Sequence, residues 1–444
     1  MISKDSLYHF VGIKGSGMSA LALILDGEGY RVQGSDIEKY FFTQQGLEEA
    51  QIPMMPFSAD NIQPGLTIIA GNAFTDDHPE LAKARELGLT IYRYHDFLGE
   101  LIQSYTSVAV TGCHGKTSTT GLLAHCLGHL TPTSYLIGDG TGYGNEAAEY
   151  FALEACEYRR HFLAYEPDYA IITNVDFDHP DYYHSIEDVF DAFKTFANQT
   201  KKGVIAYGED PYLRQLETAV PIHYYGVDPE DYICAQNIRR NEEGSDFDVL
   251  VEGQLFGSFH IPSYGKHNIM NALAVICFLQ LEGFKADEIA RYLKTFPGVK
   301  RRFSVKQVQD LIVIDDYAHH PSEIRATIDA AKQKYPHRRV VAVFQPHTFS
   351  RTIALLKDFA EALSLADEVH LVDIFTSARE QSGQVTIQDL AQMINDKVEI
   401  ISANHLSPLM DYQDEVILFM GAGDIDNLAH QFEKAYGALN LKHL

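Results

Sequence analysis

The sequence predicts an α/β protein of three domains, with a Rossmann-like unit at each end and a P-loop-type unit between them. Three observations predict this. Short apolar runs alternate with helical patterns along the chain, two glycine-rich turns each follow such a run and open a helix, and 444 residues exceed one ordinary domain.

Taken in order, the apolar run LYHFVGI (7–13) ends in Gly15-Ser16-Gly17, then comes the helix-like SALALILDGEGY and a second run from Arg31, a β-loop-α-β opening. Runs at Thr67–Ala70 and Thr90–Tyr92, with helical KARELG between them, continue the alternation to a boundary at 104. The unit expected over 105–298 starts with the strand Ser107–Val110, a glycine-containing loop and a helix from Lys116. Strand-like Tyr169–Thr173 and Gly203–Tyr207, the alternating stretch 246–261 and a helix through Asn268–Leu281 follow. After Phe296-Pro297-Gly298 the unit 299–444 shows β-rich runs at Leu311–Asp315, Arg339–Phe344, Glu368–Val372 and Val416–Met420, separated by helical patterns. That spacing predicts a third parallel sheet.

Composition narrows the function. With 35 Lys plus Arg against 61 Asp plus Glu, the net charge of −26 leaves no broad basic face for nucleic acid or anionic lipid, so an anionic ligand needs a local site. Cys113, Cys126, Cys156, Cys234 and Cys277 are an odd set without a C-x-x-C pair, which fits a reducing cytoplasm and argues against a structural zinc site. No apolar run approaches the length of a membrane span, and no signal peptide is read.

The sharpest local signal is Val108 to Ser118, an apolar strand entering a helix through Gly112-Cys113-His114-Gly115-Lys116-Thr117. Backbone N–H groups at such a helix start hold phosphate oxygens, Lys116 supplies a charge at the β/γ positions, and the Thr117 hydroxyl suits a magnesium ligand. The spacing departs from the standard P-loop, whose first glycine would fall on Val110. Cys113 lies beside Lys116 and the helix start, both of which favour a thiolate; a buried, inert cysteine is the alternative reading. The turn Gly12-Ile13-Lys14-Gly15-Ser16-Gly17, with Asp36 about twenty residues on, resembles a dinucleotide fingerprint; beside a separate ATP loop it suggests a nucleotide-linked substrate. Glu154-Ala-Cys-Glu157 and Asn174-Val-Asp176-Phe-Asp178-His179 each follow a strand-like run, which puts oxygen and imidazole donors at the sheet edge near the phosphate loop.

These stretches, with YGKHNIMNALA, FPGVKRRF, DDYAHHPSEIRATI, FQPHTFSRT, DIFTSARE and MGAGDI, resemble the ATP-dependent Mur ligases of peptidoglycan synthesis over essentially the whole chain. The resemblance implies an N-terminal Rossmann-like UDP-binding domain, a central ATPase domain and a C-terminal Rossmann-like domain that closes on ATP and the amino acid. It implies ligation of L-alanine to UDP-N-acetylmuramate through an acyl phosphate, with ATP and Mg²⁺ or Mn²⁺, in the cytoplasm, and it leaves a monomer–dimer equilibrium open. It puts the UDP-sugar on Gly15, Ser16, Gly17, Met18 and Asp36, with His319 and His320 facing the substrate carboxyl and the amino acid. ATP falls on Gly112 to Ser118, His267, Asn268, Asn271, Arg302 and Asp316, and the metal on Thr117, Glu157 and His179, with Glu154 a lesser candidate. Lys116, His179, Arg302 and Arg351 are the implied catalytic set, Arg351 holding the amino-acid carboxylate.

Two departures stand out. Lys14 and Thr348 replace residues of the GIGGSGMS and PHRYTRT patterns common in the family, so Lys14 either adds a cation near the UDP phosphates or faces solvent, and Thr348 removes an arginine. Lys194, where sister ligases carry a carbamylated lysine, is expected to be a plain helix-surface residue. Three other classes compete: a folylpolyglutamate-synthase-like ligase, which lacks the unit 1–104, a dehydrogenase resting on Gly15-Ser16-Gly17 alone, and a nucleotide switch with no use for the third unit. Within the family, a ligase adding a tripeptide to the same sugar nucleotide is the nearest competitor.

Overall fold

The computed structural model describes residues 2–376, 380, 382–394 and 398–439; Ser377 to Arg379 of the DIFTSARE stretch lie outside the described residues. Three sheets build the chain. The first is all parallel, β1 (Leu7–Val11), β2 (Arg31–Asp36), β3 (Met54–Pro56), β4 (Leu66–Ala70) and β5 (Ile91–Arg93), in the order β3-β2-β1-β4-β5. The winding reverses between β1 and β4, so a crevice opens at the carboxyl end of β1, where the Gly12–Gly17 turn sits. Helix Ser16–Gly27 covers this sheet because Leu21, Ile24 and Leu25 fall on one side of it and are buried.

The second sheet takes its strands from β6 (Thr106–Thr111), β7 (Thr133–Leu136), β8 (Gly142–Tyr143), β9 (Tyr150–Glu154), β10 (Tyr169–Ile172), β11 (Gly203–Tyr207), β12 (Ile222–Gly226), β13 (Ile233–Asn241), β14 (Gly244–Val251) and β15 (Gln254–Ile261). Their order is β15-β14-β13-β12-β11-β10-β6-β9-β7-β8. The alternating stretch near 250 resolves into β14 and β15, an antiparallel pair. Helix Lys266–Leu281 is apolar on nearly every side and lies buried against this sheet beside helix Lys116–Leu130. β8 crosses onto the first unit: a Cβ on Gly144 would come within 1.9 Å of the Ile24 carbonyl oxygen, so only glycine allows the approach to helix Ser16–Gly27.

The third sheet orders β16 (Ser304–Val308), β17 (Leu311–Asp316), β18 (Val340–Phe344), β19 (Glu368–Val372), β20 (Val398–Ile401) and β21 (Val416–Met420) as β16-β17-β21-β18-β19-β20, parallel except for the edge strand β16. The junction feeding it holds Arg301 and Phe303 at φ of 53° and 55°, and the Asp316 carboxylate fixes it by accepting the Phe303 N–H at 2.7 Å. The carboxyl ends of β6, β10 and β17 converge, and the motif residues gather there.

Candidate active site

The loop 112–116 is clamped by its neighbours. Gly112 has φ of 132°, and a Cβ there would lie 2.0 Å from Thr173 Oγ1, so the position demands glycine. Asn174 Oδ1 accepts the His114 N–H at 2.9 Å, and its Nδ2 donates to the His114 carbonyl at 3.0 Å. Lys116, at the first turn of the helix, folds back: Nζ donates to the Gly112 and Cys113 carbonyls at 2.6 and 3.1 Å and lies 2.8 Å from Glu157 Oε2. The lysine is thus largely buried in an ion pair, not free on a loop. Burial opposes its charge, but Glu157, Cys156 and Glu154 together outweigh burial and hold its pKa above the ordinary value.

Glu157 is 1% exposed, and both its carboxylate oxygens lack a well-directed hydrogen bond. His179 Nε2 stands 3.4 Å from Oε1, and Asp178 completes a group whose donor atoms all lie within 4.8 Å of one another. Two carboxylates and one imidazole suit Mg²⁺ or Mn²⁺ better than zinc, so the residues fit such an ion. The Thr117 hydroxyl, beside this group, donates to Glu154 Oε1 at 3.2 Å.

Asp178, which sequence reasoning left unassigned, is the partner of Arg351. Nε and Nη2 of the arginine donate to Asp178 Oδ1 at 2.9 and 2.7 Å, with both side chains 5% exposed. Burial would raise the Asp178 pKa, but Arg351, His179, His319 and His320 hold it well below the carboxylate range. Arg351 is therefore not the surface residue that its helix position allowed.

A second bridge spans the middle and third units. His114 Nε2 is 3.0 Å from Asp176 Oδ2 and its Nδ1 is 3.6 Å from Glu323 Oε1, while Ser322 Oγ donates to Asp176 Oδ2 at 2.7 Å. Burial lowers the His114 pKa, but the two carboxylates outweigh it and lift the group to about 10. Arg302 Nη1 lies 3.5 Å from the same Glu323 oxygen.

Two cavities share this wall. One, of about 520 Å³, is bordered by His114, Gly115, Ser118, His267, Asn268, Asn271, Arg302 and Asp316, part of the ATP set expected from sequence; Cys113, Lys116 and Thr117 border the other cavity instead, and Gly112 borders neither. The other, of about 890 Å³, collects residues from all three units: Ser16, Lys116, Thr117, Glu154, His179, Arg302, His319 and Arg351 border it, with Thr348.

Several expectations need correction. Cys113 is buried and exchanges hydrogen bonds with the Asp176 backbone at 3.1 and 3.2 Å; burial and the Glu157 charge raise its thiol pKa despite Lys116. Lys14 does not face solvent or the crevice: its ammonium donates to the Ile37 and Lys39 carbonyls at 2.8 and 3.1 Å. Asp36 uses its two oxygens on the Lys14 and Ile37 N–H groups, both at 2.8 Å, so it shapes the turn. The Met18 side chain is in the core, leaving its backbone at the helix start. His320 points away from the large cavity because it caps helix Pro321–Lys334 and its Nε2 lies 3.2 Å from the Phe177 carbonyl. Lys194 is an exposed helix residue.

Three α/β units closing on one phosphate loop define a three-domain ligase architecture of Rossmann-like and P-loop units. Family models agree: "Mur ligase family, catalytic domain" matches residues 7–106, "Mur ligase middle domain" 110–279 and "Mur ligase, glutamate ligase domain" 301–423. The chain belongs to the Mur ligase family. It is 58% identical to the UDP-N-acetylmuramate--L-alanine ligase of Levilactobacillus brevis over 438 residues, covering 99% of each chain. The protein of that name from Ligilactobacillus salivarius is 54% identical over 442 residues, covering 100% of each. The solved UDP-N-acetylmuramate-alanine ligase of Thermotoga maritima superposes with a TM-score of 0.79 at 30% identity, over 97% of this chain and 99% of that one. A murein peptide ligase from Psychrobacter arcticus, at 23% identity and a TM-score of 0.69 over 98% and 99%, shares the fold.

Proposed function

We propose that the chain joins L-alanine to the lactyl carboxylate of UDP-N-acetylmuramate in the cytoplasm, using ATP and passing through an acyl phosphate. The observation that carries this is the full-length identity of 54–58% to proteins named for that reaction. The cavity bordered by all three units supports it, since one unit can supply each substrate. In this division the unit 1–104 holds the sugar nucleotide, 105–298 holds ATP, and 299–444 closes over ATP and alanine.

Phosphoryl transfer asks for charge neutralisation and in-line approach, not covalent help. Lys116 would leave the Gly112 and Cys113 carbonyls for the phosphates, and the N–H groups at the start of its helix would bind alongside. Arg302, bordering both cavities, reaches the γ-phosphoryl from the domain junction. His267, Asn268 and Asn271 would take the base and ribose, with Asp316 at the ribose. Glu157 and His179, with the Thr117 hydroxyl, would hold Mg²⁺ or Mn²⁺, which when bound neutralises phosphate charge. Arg351 would exchange Asp178 for the alanine carboxylate, while the His114–Glu323 and Ser322–Asp176 contacts would keep the third unit closed over an acyl phosphate that water would hydrolyse.

The test is ADP release with UDP-N-acetylmuramate and either L-alanine or a peptidoglycan tripeptide. Alanine is expected to support turnover and the tripeptide not; preference for the tripeptide would overturn the reading.

A further inference from the structure

Forming an amide needs a group that removes a proton from the attacking nitrogen. His179, His319 and His320 are the candidates among the histidines near the site, and the structure separates them; His347, which borders the same cavity, stacks on Phe375. His320 has both ring nitrogens in use, Nε2 at the Phe177 carbonyl and Nδ1 accepting the Ser322 N–H at 3.3 Å. His179 stands among Glu157 and Asp178, 3.4 and 3.6 Å from their oxygens. His319 differs from both. Its Nδ1 lies 2.9 Å from the Tyr317 carbonyl and 3.2 Å from Glu323 Oε2, and since both partners only accept, the hydrogen sits on Nδ1. The lone pair of the neutral ring is then on Nε2. That atom has no hydrogen-bond partner among the described residues, and the ring borders the large cavity together with Lys116 and Arg351.

We propose that His319 Nε2 is the proton acceptor for the alanine amine, an assignment that rests on the ligation reading above. Alanine reacts as the free amine, having left one proton with solvent. Its nitrogen lone pair forms the C–N bond to the acyl carbon while the carbonyl pair moves onto oxygen. Nε2 takes one proton from the now cationic nitrogen and becomes imidazolium. The oxygen pair re-forms the carbonyl, the C–O bond to phosphate breaks, and phosphate leaves with that bonding pair; the imidazolium then returns its proton to phosphate or solvent. The charged groups around the ring are Glu323 on its own helix, Asp178 after β10 and Arg351 across the cavity, with Tyr317 and His347 as ring neighbours. Burial dominates and pushes the ring down to about 3, so it enters the reaction unprotonated. Negative charge on a bound acyl phosphate raises its proton affinity for the transfer itself.

His319→Asn tests this, because its amide nitrogen sits near the place of Nδ1 and keeps a donor for the Tyr317 carbonyl while removing the base. With the full chain, Mg²⁺, ATP and UDP-N-acetylmuramate, acyl phosphate is trapped with borohydride; amide formation is followed on adding L-alanine. Trapping within about threefold of the parent and an amide-forming rate lower by at least about a hundredfold are expected, with the KM for alanine within about threefold of the parent. His319→Gln serves if the asparagine variant does not fold. Amide formation within about tenfold of the parent, or both steps falling together, overturns the assignment. A parent that traps no acyl phosphate refutes the ligation reading and this assignment with it; a parent that traps it while His319→Asn ligates normally refutes the assignment alone.

Discussion

Lys116→Ala is expected to lower stability as well as turnover, because the phosphate-loop lysine is half of a buried pair. Its side chain is 12% exposed and that of Glu157 1%, with 2.8 Å between the charges, so water and salt screen the pair little. Removing one partner of such a pair costs about 3–5 kcal/mol, since the remaining charge stays buried without compensation. His179, 3.4 Å from the other Glu157 oxygen, offsets part of that loss and points to the lower end, about 3 kcal/mol. For a domain of this size each kcal/mol moves the midpoint about 2–4 °C, so melting should fall by about 6–12 °C. The sign of the pH dependence follows from Glu157. Burial raises its pKa, but Lys116 and His179 win and hold it below the ordinary value. A depressed carboxylate stabilises the fold above its unfolded pKa, near 4.3, and the contribution is lost as pH falls through the folded value. Lys116, whose pKa is raised, keeps its share everywhere below its unfolded value near 10.4. The gap between parent and variant should therefore be widest from about pH 6 to 9 and close below about pH 4. Calorimetry of the metal- and nucleotide-free chain from about pH 3 to 9 reads the stability, and coupled ADP release at neutral pH reads a loss of at least about a hundredfold. An unchanged midpoint at pH 7 refutes the buried-pair argument, and turnover within about tenfold of the parent refutes the phosphate-loop role.

Three further outcomes follow from the same site. Arg351→Lys keeps a charge but loses the two-pronged grip now on Asp178, so alanine saturation curves at fixed ATP and sugar nucleotide should show a raised KM, with that for ATP unchanged; parent-like curves would move the alanine site. His114, lifted to about 10, contributes its interdomain contact fully below its unfolded value near 6.5 and loses it as pH rises through about 10. Small-angle scattering should show the radius of gyration growing over that range for the parent and not for His114→Gln. Burial and Glu157 raise the thiols of both Cys113 and Cys156, the latter to about 12, so iodoacetamide at neutral pH should label slowly and reach exposed Cys156 ahead of buried Cys113; peptide mapping that finds Cys113 modified rapidly and first would contradict its burial and raised pKa.

The three sheets were legible because their central strands are continuous apolar runs followed by helices, as parallel strands buried on both faces must be. β7 and β8 were not. They are four and two residues long, and β8 is held by its fit against helix Ser16–Gly27 through Gly142 and Gly144, a contact between distant segments. The same limit governs the site. Motifs at strand ends brought Lys116, Glu157 and His179 together on paper, since a sheet edge collects whatever follows its strands. The Arg351–Asp178 pair joins residues 173 apart, and no local pattern in either segment names the other. Cys113 failed for a related reason: its sequence neighbours, Lys116 and the helix start, favour a thiolate, whereas the Glu157 and Asp178 charges that disfavour it arrive from other loops. Where a residue recurs in a ligand-binding motif, the motif identifies the chemistry of the group and leaves its partner open. Arg351 carries a guanidinium suited to any carboxylate, and within the chain that carboxylate is Asp178. On the proposed assignment, alanine displaces this internal anion to be held by the arginine, which would tie the affinity for the amino acid to the pair that joins the middle and third units.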